Sequence, residues 1–185
     1  MPVQSRQLDR QAILSIIRKL DHDLAGTQKK VKLYCVGGTY LVLTRIRDSS
    51  KDIDFIISRQ DFRTLSGHIL EIETKDKVRF DLFPEGELPG FAFKNYDFGS
   101  QKMPFSFDHI EIYEMDLASF ILTKVLAGRA EDYEDIEKLV PDRASLPKEK
   151  LIAKFKELQF TKGKKSILEK KLKAFLKEFY GKKSA

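Results

Sequence analysis

The stretch from Tyr34 to Ile57 limits what this chain can fold into more than any other. It reads Tyr34-Cys35-Val36-Gly37-Gly38-Thr39, a short amphipathic segment, and then Ser50-Lys51-Asp52-Ile53-Asp54-Phe55-Ile56-Ile57. An apolar strand runs into a glycine pair, a helical segment follows, and a second strand opens on two carboxylates. Strand side chains alternate between faces, so Asp52 and Asp54 point one way while Ile53, Phe55 and Ile57 point the other. Two carboxylates on one side repel each other unless a cation lies between them. Oxygen donors suit a hard divalent ion, Mg2+ or Mn2+.

The flanking sequence supplies the elements such a unit needs. Ile13, Ile16, Ile17 and Leu20 recur at helical spacing between Leu8 and Leu24, and Gly26 closes that helix. Val31 to Val36 reads as a strand, Thr39 to Ile46 as a helix, Asp48-Ser49-Ser50 as a turn and Asp52 to Ser58 as a strand rich in β-branched and aromatic residues. Arg59 to Leu70 reads as a helix. Ile69 to Glu73 and Val78 to Phe83 read as a strand pair joined by a turn at residues 74–77. Pro84 to Gly90 is a loop, and Phe91 to Phe98 and Ile110 to Tyr113 are further strands. From Asp116 the pattern turns helical, with segments ending near Gly128 and Val140. Two more helices, Lys148 to Leu158 and Lys164 to Tyr180, follow a linker bracketed by Pro141 and Pro147. The expected fold is α+β: a small mixed sheet backed by helices over residues 1–115, then a helical C-terminal region over residues 116–185 with a basic tail.

Asp81 shares a strand face with Arg79 and Phe83. If its strand lies beside the one carrying Asp54, Asp52, Asp54 and Asp81 crowd one edge of the sheet and make a site for one or two divalent ions. Gly37 and Gly38, lacking Cβ atoms, let backbone N–H groups approach phosphates. Alone, the glycine pair reads equally as a tight turn, and the aspartates as solvated residues at a strand start. His22, His68 and His109 lie apart without metal-ligand spacing, and no Gly-x-x-x-x-Gly-Lys-Ser/Thr loop is present. The single cysteine, Cys35, sits in an apolar strand and reads as a small core residue.

Charge is spread unevenly. The net +6 of the 185 residues combines +9 from Pro141 onward with −3 before it. A basic tail on a mildly acidic body fits contact with a polyanion such as RNA, and equally a solvated lysine-rich helix surface. No apolar run reaches membrane-spanning length, and Met-Pro-Val-Gln-Ser is no signal region, so a cytoplasmic protein is expected.

Gly-Gly, thirteen residues, then Asp-x-Asp resembles the signature of the DNA polymerase beta-like nucleotidyltransferase superfamily. The segment Lys124-Val125-Leu126-Ala127-Gly128-Arg129-Ala130-Glu131-Asp132-Tyr133-Glu134-Asp135-Ile136 is similar to the second motif of its small prokaryotic branch, the AbiEii-type toxins and their uncharacterised relatives. The resemblance implies that Gly37, Gly38 and Thr39 hold nucleotide phosphates and that Asp52 and Asp54 bind metal. It makes Asp81 a third ligand or the base for the incoming hydroxyl, and turns Lys124 and Arg129 towards the nucleotide. Asp132 and Asp135 would pin Arg129. Ser50 stands where a threonine is expected before Asp-x-Asp, keeping the hydroxyl. The implied activity is metal-dependent transfer of a nucleoside monophosphate from a nucleoside triphosphate to an acceptor hydroxyl on a tRNA or other RNA 3′ end, a protein or a small molecule. A toxin-like member would have an antitoxin partner. A protein of the same fold that binds nucleotide or RNA without reacting is the alternative.

Overall fold

The computed structural model describes residues 7–27, 30–94 and 101–181. Along the chain the elements are β1 (Leu8–Asp9), α1 (Arg10–Asp23), β2 (Val31–Cys35), α2 (Gly37–Leu43), β3 (Ser49–Ser50), β4 (Ile53–Ile57), α3 (Arg59–Asp76), β5 (Phe80–Pro84), β6 (Glu87–Leu88), β7 (Phe91–Phe93), β8 (Ile110–Glu114), α4 (Leu117–Ala127), α5 (Ala130–Leu139), α6 (Lys148–Lys156), β9 (Leu158–Phe160) and α7 (Lys165–Gly181). The fold is mixed α+β with a helical C-terminal part. The chain divides into two compact units: residues 1–86 with 99–115, and residues 87–98 with 116–185.

The first unit is organised on a four-stranded sheet in the order β5-β4-β2-β8. β4 is antiparallel to β2, while β2 with β8 and β4 with β5 run parallel. All five residues of the central strand β4 are buried, which is why it reads as an almost unbroken apolar run interrupted only by Asp54. Asp9 starts α1 by accepting the Ala12 N–H at 2.7 Å. The α1 residues Ile13, Ile16, Ile17 and Leu20 are buried at the spacing the sequence shows. The Asp21 carboxylate accepts the N–H groups of Asp108 and His109 at 3.0 and 2.7 Å, tying α1 to the segment that leads into β8. Cys35 is fully buried with its Sγ 3.7 Å from Met103 Sδ, and burial pushes its thiol well up, so it packs as a core residue.

The strand pair expected at 69–73 and 78–83 does not form. Residues 69–73 continue α3, which Ser58 caps by accepting the Asp61 N–H at 2.9 Å and which runs to Asp76. Leu65, Ile69 and Ile72 lie at i, i+4 and i+7 and are all buried, so the helical stripe passes straight through the segment read as a strand. Lys77, in the left-handed region at φ 53°, ends the helix. β5 therefore pairs in parallel with β4, and α3 is the crossover that a parallel pair requires. Smaller departures share one cause: two- and three-residue strands carry too short a pattern to read. Ser49–Ser50, expected as a turn, pairs with Leu8–Asp9. β6 lies inside the expected Pro84 to Gly90 loop. The helix after the glycine pair begins at Gly37 and stops at Leu43, before Ile46. Of the expected strand Phe91 to Phe98, Phe91–Phe93 is a strand and residues 95–98 lie outside the described residues.

The second unit joins the antiparallel strands β6-β7-β9 to helices α4–α7. Asp116 caps α4 by accepting the Ser119 N–H at 3.1 Å. At its other end Lys171 donates to the carbonyls of Leu126 and Ala127 at 2.7 and 2.9 Å, placing a cation where the helix dipole is negative. On α7, Leu168, Leu172, Phe175 and Phe179 are buried, while Ile167 is exposed. Between α4 and α5 lies a buried charge cluster: the Lys124 ammonium donates to Asp132 Oδ1 and Asp135 Oδ2, each at 2.9 Å, and Lys124 is only 4% exposed. Arg129 bonds Asp132 through Nε at 2.9 Å and its own backbone N–H at 3.1 Å. Burial pushes the Asp132 carboxyl up, but the hydrogen bonds from Arg129 and Lys124 outweigh it and hold it below the usual range. Lys124→Met would leave two buried carboxylates without their ammonium. It should lower the stability of this unit by ~3–5 kcal/mol in urea denaturation followed by circular dichroism.

Candidate active site

The site is built where β2 passes into α2 and β4 lies alongside. Val36 is extended, and Gly37 then turns the chain with φ 55° in the left-handed region. A Cβ on Gly37 would strike the Asp54 carboxylate, its Cγ at 2.7 Å, and one on Gly38 would strike the Ser50 hydroxyl. The glycine pair is thus what lets the helix start lie against the Asp-x-Asp strand. The Gly38 N–H donates to Asp54 Oδ2 at 3.0 Å, and the Asp54 N–H donates to Thr39 Oγ1 at 2.8 Å. Thr39 is completely buried and its hydroxyl also reaches the Asp52 carbonyl at 3.5 Å. Ser50 donates to Asp52 Oδ1 at 3.4 Å. Both hydroxyls therefore brace the aspartate strand from within.

The register of β4 with β5 sets Asp54 directly beside Asp81. Asp52, just before β4, joins them. Each of the three offers a carboxylate oxygen such that these oxygens all lie within 4.8 Å of one another, and among the described residues this is the cluster suited to a metal ion. Desolvation by burial, then the charges of Asp52 and Asp81, push the Asp54 carboxyl up to about 7, against the pull of the Gly38 and Thr39 N–H groups. Oxygen donors alone, mutually repelling and partly buried, fit a hard divalent cation. Arg79, two residues before Asp81, donates to Asp81 Oδ1 through Nε at 2.8 Å. The i, i+2 spacing that puts Arg79 and Asp81 on one strand face is the sequence signal for this pair.

Lys124 and Arg129 belong to the second unit, where they form the charge cluster with Asp132 and Asp135. Asp132 pins Arg129 as expected, and Asp135 bonds Lys124.

A mixed sheet presenting three converging carboxylates beside a glycine-built helix start defines an α+β protein with an acidic centre that could hold a metal ion. The chain belongs to the family described as nucleotidyltransferase of unknown function (DUF6036), whose model matches residues 11–177. No curated protein and no solved structure matches it.

Two outcomes follow from this geometry. Gly37→Ala would force an alanine into the left-handed region and against Asp54, and should cost ~1–3 kcal/mol in urea denaturation. The Asp54 carboxyl, ordinarily near 3.8, holds its proton to about 7 in the folded protein. Between these values the folded state binds more protons than the unfolded one, so metal-free stability should fall as pH rises across that window and level off above it. Denaturation midpoints measured from pH 4 to pH 8 should show this fall in the wild type and lose it in Asp54→Asn.

Proposed function

We propose that the protein transfers a nucleoside monophosphate from a nucleoside triphosphate to an acceptor hydroxyl, using Mg2+ or Mn2+ at Asp52, Asp54 and Asp81. The convergence of the three carboxylates carries this reading, and membership of a nucleotidyltransferase family supports it. The cation supplies positive charge that offsets the charge of the triphosphate. Asp52 and Asp54 hold it, with Asp54 oriented by the Gly38 N–H. The backbone at Gly37 and Gly38, only half-buried, is the part of the chain that meets phosphate oxygens. Asp81, with its side chain 25% exposed, would complete the set that holds the cation and help take the proton from the acceptor hydroxyl. The acceptor oxygen forms a bond to the α-phosphorus, the bond from that phosphorus to the leaving oxygen breaks, and pyrophosphate departs.

Thr39 and Ser50 serve this reaction by holding the aspartate strand in place. Lys124 is committed to Asp132 and Asp135, and the exposed Arg129 guanidinium pairs with Asp132 and Glu131, so both cations brace the second unit. The lysine-rich C-terminal region favours an RNA acceptor, whose phosphates lysines neutralise in a salt-dependent way. Kinship with the AbiEii-type branch and a toxin role with an antitoxin partner rest on the sequence resemblance, and a cytoplasmic location on the composition of the sequence. No helix among the described residues is long and apolar enough to cross a membrane.

Incubation with each labelled nucleoside triphosphate, Mg2+ or Mn2+, and total cellular RNA and protein tests the proposal. The label should appear on one acceptor class with release of pyrophosphate. The variant carrying Asp52→Ala and Asp54→Ala should lose at least ~100-fold of this activity. Equal labelling by that variant would sink the assignment.

A further inference from the structure

Arg79 stands at the edge of the acidic centre with a side chain 72% exposed. Its Nε and one terminal nitrogen both lie 2.8 Å from the same oxygen of Asp81, Oδ1. The charges of Asp52 and Asp54 also act on it, after that of Asp81. A guanidinium is therefore the counter-charge of three clustered carboxylates. The pairing is exposed and held through a single carboxylate oxygen, so little resists its exchange for another partner. A divalent cation drawing on Asp81 brings two positive charges next to the guanidinium, and like charges at such range repel. The arginine then has a long flexible stem, a solvent-facing position and a planar fork of donors whose geometry matches phosphate.

Building on the nucleotidyl-transfer reading, we propose that Arg79 is a displaceable counter-ion that holds Asp81 until the cation binds and then grips the polyphosphate of the nucleotide. Cation binding and phosphate recognition are coupled through this one side chain. Without the cation, Arg79 quenches part of the negative field that would turn a triphosphate away. With it, the guanidinium is released towards the incoming anion. Arg79 buries little surface and its pairing is local, so a role confined to bracing β5 would leave cation and phosphate affinities moving together or not at all.

The experiment measures two affinities in wild type, Arg79→Gln and Arg79→Lys, with folding checked by circular dichroism. Free Mn2+ followed by electron paramagnetic resonance gives cation affinity without nucleotide. Calorimetry with Mn2+-tripolyphosphate gives polyphosphate affinity without involving a base. Arg79→Gln should bind Mn2+ ~2- to 5-fold more tightly, because the competitor is gone. It should bind Mn2+-tripolyphosphate ~10-fold more weakly, because a charge-assisted fork is lost. Arg79→Lys should recover part of the polyphosphate affinity. Unchanged affinities in Arg79→Gln, or a loss of both together, would overturn the role of Arg79. If wild type binds Mn2+ and Asp54→Asn does not, that failure leaves the acidic centre standing as a cation site. Wild type without Mn2+ affinity would overturn the acidic-centre reading and the role of Arg79 with it.

Discussion

Three carboxylates held with oxygens inside 4.8 Å of one another are a source of repulsion, and the surrounding structure is arranged to contain it. The Gly38 N–H donates to Asp54, the Thr39 hydroxyl accepts from the Asp54 backbone, and Arg79 neutralises Asp81. Burial, and then the charges of Asp52 and Asp81, still push the Asp54 carboxyl up. A protein selected for stability alone would place apolar groups at such a point in a central strand. Asp54 in that strand, with Asp52 and Asp81 beside it, is the arrangement expected where stability is given up for a functional site.

Topology makes that concentration of charge possible. β4 and β5 run parallel, which requires the long crossover α3, and their register sets Asp54 against Asp81. A hairpin in the same stretch would run antiparallel and present different neighbours. On the other side, β2 runs antiparallel to β4 and delivers the glycine pair to the level of Asp54, with the Val36 N–H reaching the Asp54 carbonyl at 3.3 Å. Acidic centre and glycine corner are thus consequences of strand order, with the helices of this unit supplying the crossover and the core.

Much of this was legible in the chain, and the limits have physical origins. Strand β2, the glycine pair and the Asp-x-Asp strand stand out because alternation and backbone need act over neighbouring residues. The α1, α4 and α7 stripes are visible because helical periodicity accumulates over several turns. The segment 69–73 was misread because Ile69, Glu71 and Glu73 alternate with Leu70, Ile72 and Thr74 in a way that fits either period, and only continuity with Leu65 decides for a helix. The bonds that Thr39 and Ser50 make to the aspartate strand depend on the approach of β4, which local sequence does not encode. The pairing of Lys124 with Asp132 and Asp135 is not legible locally, because its two partners come from the next helix and close over it only on folding.

The lone sulfhydryl of β2 gives this molecule a built-in chemical clock. Cys35 adjoins the turn into α2, lies wholly inside the core and has no second cysteine to pair with. An alkylating reagent reaches it only when the strands part, so the modification rate in native buffer follows the opening of the very segment that aligns the glycines with Asp54. Ligands that clamp this corner must slow that reaction, whatever they turn out to be.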